Sequence, residues 1–318
     1  MRYFLGFLVV FLSLLFGFFK PYNFVLAQVE QNGLSASPMF QEVTLEEGER
    51  EKSFSVELKN GTAVPVTLRL SLLDFGTLDE SGGVAFLGAA SNLEKKYALA
   101  AWMRPEKDVM TLSPGETQSV RVTIENRETL SPGGHYGAVV FKAGEDAGSD
   151  SGENVISVSQ LFSVLVFAKK IGGEIYDLKL KTEEYPKSYF TLPETIRLRF
   201  QNAGNVHLVP RGIVTLSDPL GRIVRKGIIN EESAIILPET LRVYPSSFKA
   251  VETVFMPGRY TLAIQYRHDG EEAFTEVKRS FVFVPPPVMA LSFCLLLFLG
   301  WIGRHFLRLQ RKKSKTAL

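Results

Sequence analysis

Apolar and polar residues alternate along most of this chain. Phe54, Val56 and Leu58 are separated by Ser55 and Glu57, and Val66, Leu68 and Leu70 by Thr67 and Arg69. The same pattern returns at Val120, Val122 and Ile124, and at Ile196, Leu198 and Phe200. It returns again at Tyr260, Leu262, Ile264 and Tyr266, answered by Ala273, Thr275 and Val277. A period of two places one set of side chains on a core and the other in water, so each run predicts a β-strand. Ile156 to Phe167 becomes apolar at successive positions, which predicts a central strand covered on both faces.

Turn signals separate the runs. Asn60-Gly61 predicts a tight hairpin, and Ser113-Pro114-Gly115 and Pro132-Gly133-Gly134 predict two further corners. Asp218-Pro219-Leu220-Gly221 reads as a type I turn, and Asp269-Gly270 as another turn between strands. Gly144 to Asn154 is small and polar and reads as a mobile loop. At most a short helix is expected, between Ala89 and Trp102. The pattern restarts after Ile171-Gly172-Gly173, which sets an expected domain boundary. Many short strands with Gly/Pro corners predict an all-β chain of two immunoglobulin-like β-sandwiches in tandem.

The two ends read differently. Tyr3 to Phe19 is apolar after Arg2, and Val25-Leu26-Ala27 supplies small residues before Gln28. Residues 1–27 are therefore expected to be a signal peptide cleaved between Ala27 and Gln28. Sandwiches are expected over 28–171 and 172–284, and a transmembrane helix over 285–303, long enough to cross about 30 Å of hydrocarbon. Prolines 285–287 stand at its entrance and Trp301 near its far end. The basic tail 304–318 places the C-terminus in the cytoplasm and residues 28–285 outside a single-pass membrane anchor.

Charge follows this division. Residues 28–285 hold 28 basic and all 34 acidic residues, a net −6. That balance argues against nucleic-acid binding, which needs clustered Lys and Arg. The single cysteine, Cys294, lies in the apolar C-terminal segment. The exterior must hold its fold by core burial without a disulfide, a habit commoner in bacterial surface proteins.

Candidate chemistry is sparse. His135, His207, His268 and His305 match no metal-ligand spacing. His135 reads as a solvated loop histidine. No nucleophile elbow is present. The pairs Glu46-Glu47, Glu183-Glu184 and Glu231-Glu232 bring a glycosidase to mind, but neighbouring acids on a strand point to opposite faces, and solvated turns are preferred. Glu145, Asp146, Asp150 and Glu153 do not follow a calcium-loop spacing. Trp102 reads as a core plug rather than a ligand anchor. A non-catalytic protein without cofactor or metal is expected.

One further pattern concerns order. The first half runs Pro38, Leu45-Glu46-Glu47-Gly48, Asn60, Val66 to Asp74, Trp102, Leu112-Ser113-Pro114-Gly115-Glu116 and Pro132-Gly133-Gly134-His135-Tyr136-Gly137. The second runs Gln201-Asn202-Ala203-Gly204-Asn205-Val206-His207, Pro210, Asp218, Gly221 and Leu237-Pro238. Together with the apolar ends, this resembles the bacterial WxL-interacting surface proteins and, more loosely, the PapD-like immunoglobulin fold. The resemblance implies contact with peptidoglycan or with partner surface proteins, and it carries over no binding residue. The expected function is a membrane-anchored surface scaffold. The alternative is a PapD-like assembly chaperone, in which a sheet edge captures a partner strand.

Overall fold

A computed structural model describes residues 33–86, 95–143, 160–181, 188–252 and 256–315. The expected cleavage site at Ala27 and Gln28, the polar loop Gly144 to Asn154 with its four acids, and Glu183-Glu184 lie outside the described residues.

The chain is mostly β, with two immunoglobulin-like sandwiches followed by one helix. In the first, β1 (Leu34–Ser37), β3 (Glu51–Asn60), β8 (Thr117–Glu125) and β6 (Met103–Pro105) form one sheet in the order β1-β3-β8-β6. The facing sheet has the order β2-β10-β9-β4-β5, with β7 also on β4. Its strands are β2 (Phe40–Leu45), β10 (Leu161–Lys170), β9 (Gly133–Ala143), β4 (Val66–Thr77), β5 (Val84–Phe86) and β7 (Val109–Leu112). The alternating residues named above supply the core: Phe54, Val56, Leu58, Leu68, Leu70, Val120, Val122 and Ile124 are all buried together. Trp102 packs against this core, half-buried.

Of the stretch Ala89 to Trp102, residues 89–94 lie outside the described residues, and the rest holds two single 3-10 turns, Lys95–Tyr97 and Ala100–Trp102. Asp74 Oδ1 accepts the Leu99 and Ala100 N–H groups at 2.6 Å and fixes this segment over β4.

Asn60-Gly61 does not close a hairpin. β3 and β4 belong to different sheets, and the chain crosses between layers there. Asn60 is fully buried and brackets the crossing with its side chain. Ser113-Pro114-Gly115 likewise joins strands of different sheets, with Gly115 at φ +75°, where a residue without Cβ is favoured.

The second sandwich has the strand order β11-β13-β16-β15-β14-β17-β18-β12. Its strands are β11 (Leu178–Leu180), β12 (Ser188–Tyr189), β13 (Thr195–Asn202), β14 (Pro210–Ser217), β15 (Ile223–Ile229), β16 (Leu241–Ala250), β17 (Gly258–His268) and β18 (Thr275–Phe283). Leu241 to Ser247 of β16 pair with β13, and Phe248 to Ala250 pair with β15, so one strand crosses from one layer to the other. Its core holds Leu198, Phe200, Val214, Leu216, Tyr260, Leu262 and Ile264.

Helix α1 (Pro286–Lys315) follows β18 after two residues. Its window Pro286–His305 has mean hydropathy 1.9, and none of it is buried against the protein. It is one helix long and apolar enough to cross a membrane.

Candidate functional site

β9 is buried at every position but one. Its inward side chains fill the first core, and its outward ones meet the second sandwich. Tyr136, Ala138 and Val140 form a separate apolar cluster with Phe75, Tyr97, Phe167 and Leu237, the last from the second domain. Tyr136 makes edge contacts with Phe75 and Phe167, at centroid distances of 6.0 and 5.8 Å.

His207 of the second domain enters this cluster. Its ring lies 5.7 Å from Tyr136 and 5.3 Å from Phe167, both edge-on. Tyr136 Oη stands 3.3 Å from His207 Nδ1, and His207 Nε2 is 4.0 Å from Glu42. Burial pushes the His207 pKa down to about 4, with the Lys169 charge acting the same way. The ring is therefore neutral near pH 7. Tyr136, enclosed beside it, is pushed well above its ordinary value by burial.

His135 is not a loop residue in water. It lies buried in β9, bonded through Nε2 to the Ser131 carbonyl at 2.7 Å, and burial lowers its pKa. No local pattern signals this, because the cover comes from distant parts of the chain.

Polar contacts frame the apolar cluster. Glu239 accepts from Lys96 Nζ at 2.6 Å and from Tyr97 Oη at 2.9 Å. Tyr97 is pushed up to about 12, first by burial and then by this carboxylate. Arg199 of β13 forks onto Glu80, with Nε at 2.7 Å, and the Glu80 carbonyl accepts the Val243 N–H at 2.8 Å.

The Gly133-Gly134 pair permits the close approach. Gly134 N–H donates to the Asn205 carbonyl at 2.8 Å. A Cβ on Gly134 would stand 2.1 Å from Tyr136 Oη, and Gly133 has φ +114° with Asn205 against it. Asn205 also ties down the connecting segment, donating to the Gly173 carbonyl and accepting from Ile175 N–H.

The second feature is an open edge. β10 pairs with β9 over Leu161 to Lys170, but β2 covers its other side only from Leu165 onward. Leu165 N–H donates outward, to the Met39 carbonyl at 3.1 Å. Strand alternation then turns the backbone N–H and C=O of Leu161 and Ser163 outward too. Among the described residues, no strand pairs with them. Leu161 is 64% exposed, and Met39 and Phe40 at the start of β2 are also exposed. Sequence reading found β10 as a central strand but missed that half of one edge is open, because edge pairing depends on where β2 happens to start.

The remaining candidates fall apart. Glu46-Glu47 and Glu231-Glu232 sit exposed in turns. His268 stacks on Tyr176 at 5.3 Å, and His305 lies on α1 beside Trp301. A cleft of about 220 Å³ between the domains brings Glu42, Lys169, Tyr176, His207 and Asp269 together. Among the described residues, no group of three His, Cys, Asp or Glu side chains could hold a metal ion.

No protein-family model and no curated protein matches the chain. Similar solved structures include a chain of the chaperone–tip adhesin complex of CFA/I fimbriae biogenesis. It is 13% identical, with 80% of this chain and 99% of that one covered and a TM-score of 0.42. The E. coli chaperone DraB is 13% identical over 80% of this chain and 96% of its own, TM-score 0.36. The human PapD-like domain 7 of CEP192 is 16% identical over 45% of this chain and 88% of its own, TM-score 0.30. These likenesses concern fold, and the resemblance to WxL-interacting proteins narrows to a PapD-like immunoglobulin fold. The expectation of a membrane-anchored surface scaffold is corrected here. The finding against it is that the similar solved structures are repeatedly chaperones, a class 5 fimbriae chaperone among them.

Proposed function

We propose that this protein is a membrane-tethered assembly chaperone that holds an extended strand of another exported protein. The capture edge is the outer side of β10 at Leu161 and Ser163. The observation that carries this reading is the staggered cover of β10, paired fully on one side and from Leu165 only on the other. An unpaired edge with outward N–H and C=O groups is a template for a further strand, and main-chain bonds supply affinity with little regard to sequence. The exposed Leu161, Met39 and Phe40 give the incoming strand apolar side chains to rest on. The packed seam holds the two domains in one arrangement behind the edge. In this reading α1 crosses the membrane with the sandwiches outside and the basic tail in the cytoplasm, so capture occurs as clients leave the membrane.

The test uses the full chain in lipid nanodiscs and a fluorescent peptide of alternating valine and threonine. Wild type should give a saturable rise in anisotropy. Ser163→Pro removes one outward N–H without touching the β9 ladder and should abolish the rise, whereas Ser163→Thr should retain it. Absence of binding by wild type, or equal binding by the proline variant, would overturn the proposal.

A further inference from the structure

The connection between the second sandwich and α1 is short. β18 ends at Phe283 and α1 begins at Pro286, so only Val284 and Pro285 intervene. Two residues span at most about 7 Å. If α1 crosses a bilayer, as the function above assumes, the end of the sandwich that carries Phe283 is held at the lipid surface.

The residues at that end can be read from the register. Phe283 pairs with Gly258 at the start of β17, and Tyr189 pairs with Phe283 from the other side. Gly258 abuts Pro219, where an added Cβ would lie 2.7 Å from the proline ring. The turn Asp218 to Arg222 therefore stands beside the exit to the helix. Phe190 and Val251 line one hollow with Phe283.

These neighbours are unusually apolar for turn residues. Leu220 is 66% exposed, Phe190 57% and Val251 55%, and Ile223 and Val282 are also exposed. Turns at a solvated end have no reason to present large apolar tips from three separate segments around one point. Arg222, beside Leu220, is held by Asp218, which accepts from Nε at 2.8 Å, and Arg259 stands exposed at the start of β17. Arg225, Glu194 and Glu252 also line the hollow, and Glu252 lies 3.8 Å from Arg222, so the apolar tips are flanked by charged heads of both signs, as suits the boundary between headgroups and acyl chains.

We propose that the membrane-proximal end of the second sandwich inserts Leu220, Phe190 and Val251 into the headgroup–acyl boundary of the bilayer that α1 crosses. The sandwich then stands upright on the membrane as a rigid post. The insertion fixes the height and direction of the first domain.

The opposite end supplies an internal control. β17 has 11 residues, so its ends lie about 34 Å apart. Asn230 bonds to the Pro210 carbonyl at 3.0 Å, and Pro210 pairs with His268 at the far end of β17. The exposed Glu232 belongs to that far end.

The test places a single environment-sensitive fluorophore on the full chain, in a Cys294→Ser background, through Leu220→Cys, Val251→Cys or Glu232→Cys. Each protein is reconstituted in phosphatidylcholine–phosphatidylglycerol vesicles, with and without lipids brominated near the top of the acyl chain. Flotation with the vesicles reports α1 separately, and only floating protein is read. Severalfold stronger quenching at 220 and 251 than at 232, with a blue-shifted emission, is expected. Floating protein with equal quenching at all three positions, or with none at 220 and 251, would overturn the insertion while leaving the anchor intact. Failure to float would instead refute the anchor on which the inference rests.

Discussion

Asn60 and Asn202 form the same bracket in the two domains. Asn60 Nδ2 donates to the Val64 and Leu112 carbonyls, at 2.8 and 3.0 Å, and its Oδ1 accepts the Thr62 N–H at 2.9 Å. Asn202 Nδ2 donates to the Val206 and Ile236 carbonyls, at 2.7 and 3.2 Å, and its Oδ1 accepts the Gly204 N–H at 2.9 Å. Each residue ends a strand where the chain leaves one layer for the other, and each is fully buried. Backbone groups at such a crossing have no ladder partner, and the amide side chain supplies one.

Truncation should therefore be costly at both places. Asn60→Ala and Asn202→Ala each leave buried backbone groups without partners, at about 2–4 kcal/mol. The two brackets sit in separate cores, so the costs should add in the double variant. Urea unfolding of the detergent-solubilised chain measures this. Losses below about 1 kcal/mol would contradict the bracket.

The bracket shows what was legible in the sequence and what was not. The strands were legible because β3, β8, β13 and β17 each bury one face, so burial follows the alternation residue by residue. β9 hid its character, since both of its faces are covered and no alternation survives. Asn60-Gly61 was misread because the dipeptide is a local turn signal, while its use is set by partners 52 residues away. A signal did exist: Asn60…Val64 with Leu112-Ser113-Pro114 recurs as Asn202…Val206 with Ile236-Leu237-Pro238. The seam and the open edge carried no such mark, because both arise from where distant segments stop.

The buried His207 makes acid a probe of the seam. Its pKa is about 4 when folded and near 6.5 otherwise. The unfolded chain therefore binds a proton first as pH falls, and stability drops between about pH 6.5 and pH 4 by as much as about 3 kcal/mol. Paired carboxylates and His135 add their own acid sensitivity, so the comparison must be with His207→Phe. That variant should lose markedly less stability between pH 7 and pH 4.5 in urea unfolding. Parallel losses in the two proteins would show that His207 takes up its proton as readily in the folded protein as in the unfolded one.

Gly134 should tolerate no side chain. A methyl group there meets Tyr136 Oη and, at 3.3 Å, the Asn205 carbonyl, so Gly134→Ala must push the domains apart or displace the tyrosine. Overpacking of this kind costs about 1–3 kcal/mol. The loss should appear as faster proteolysis between Lys170 and Leu178, where the chain passes from one domain to the other. Unchanged proteolysis would mean that the seam yields without opening.

Glu239 occupies the position in the second bracket that Gly115 holds in the first, one residue past the proline in each case. Both have positive φ, +57° for Glu239 and +75° for Gly115. A left-handed conformation costs a residue with Cβ about 1–2 kcal/mol, so on backbone grounds Glu239→Gly should stabilise the protein. The side chain opposes this. Glu239 accepts from Tyr97 Oη and pairs with Lys96. Losing it strands a buried phenol, at about 1–3 kcal/mol, while the exposed lysine pair adds less than about 1 kcal/mol. The contact should slightly outweigh the strain, leaving Glu239→Gly less stable by about 1 kcal/mol. Glu239→Gln separates the two effects, because it keeps the backbone and removes the charge. In that variant Tyr97 should ionise below its value of about 12 but still above an ordinary tyrosine, since burial is the larger cause of its shift. Ultraviolet titration of tyrosinate measures this directly. A full return to the ordinary value would assign the shift to Glu239 alone and make the cluster around Tyr97 wetter than its burial implies.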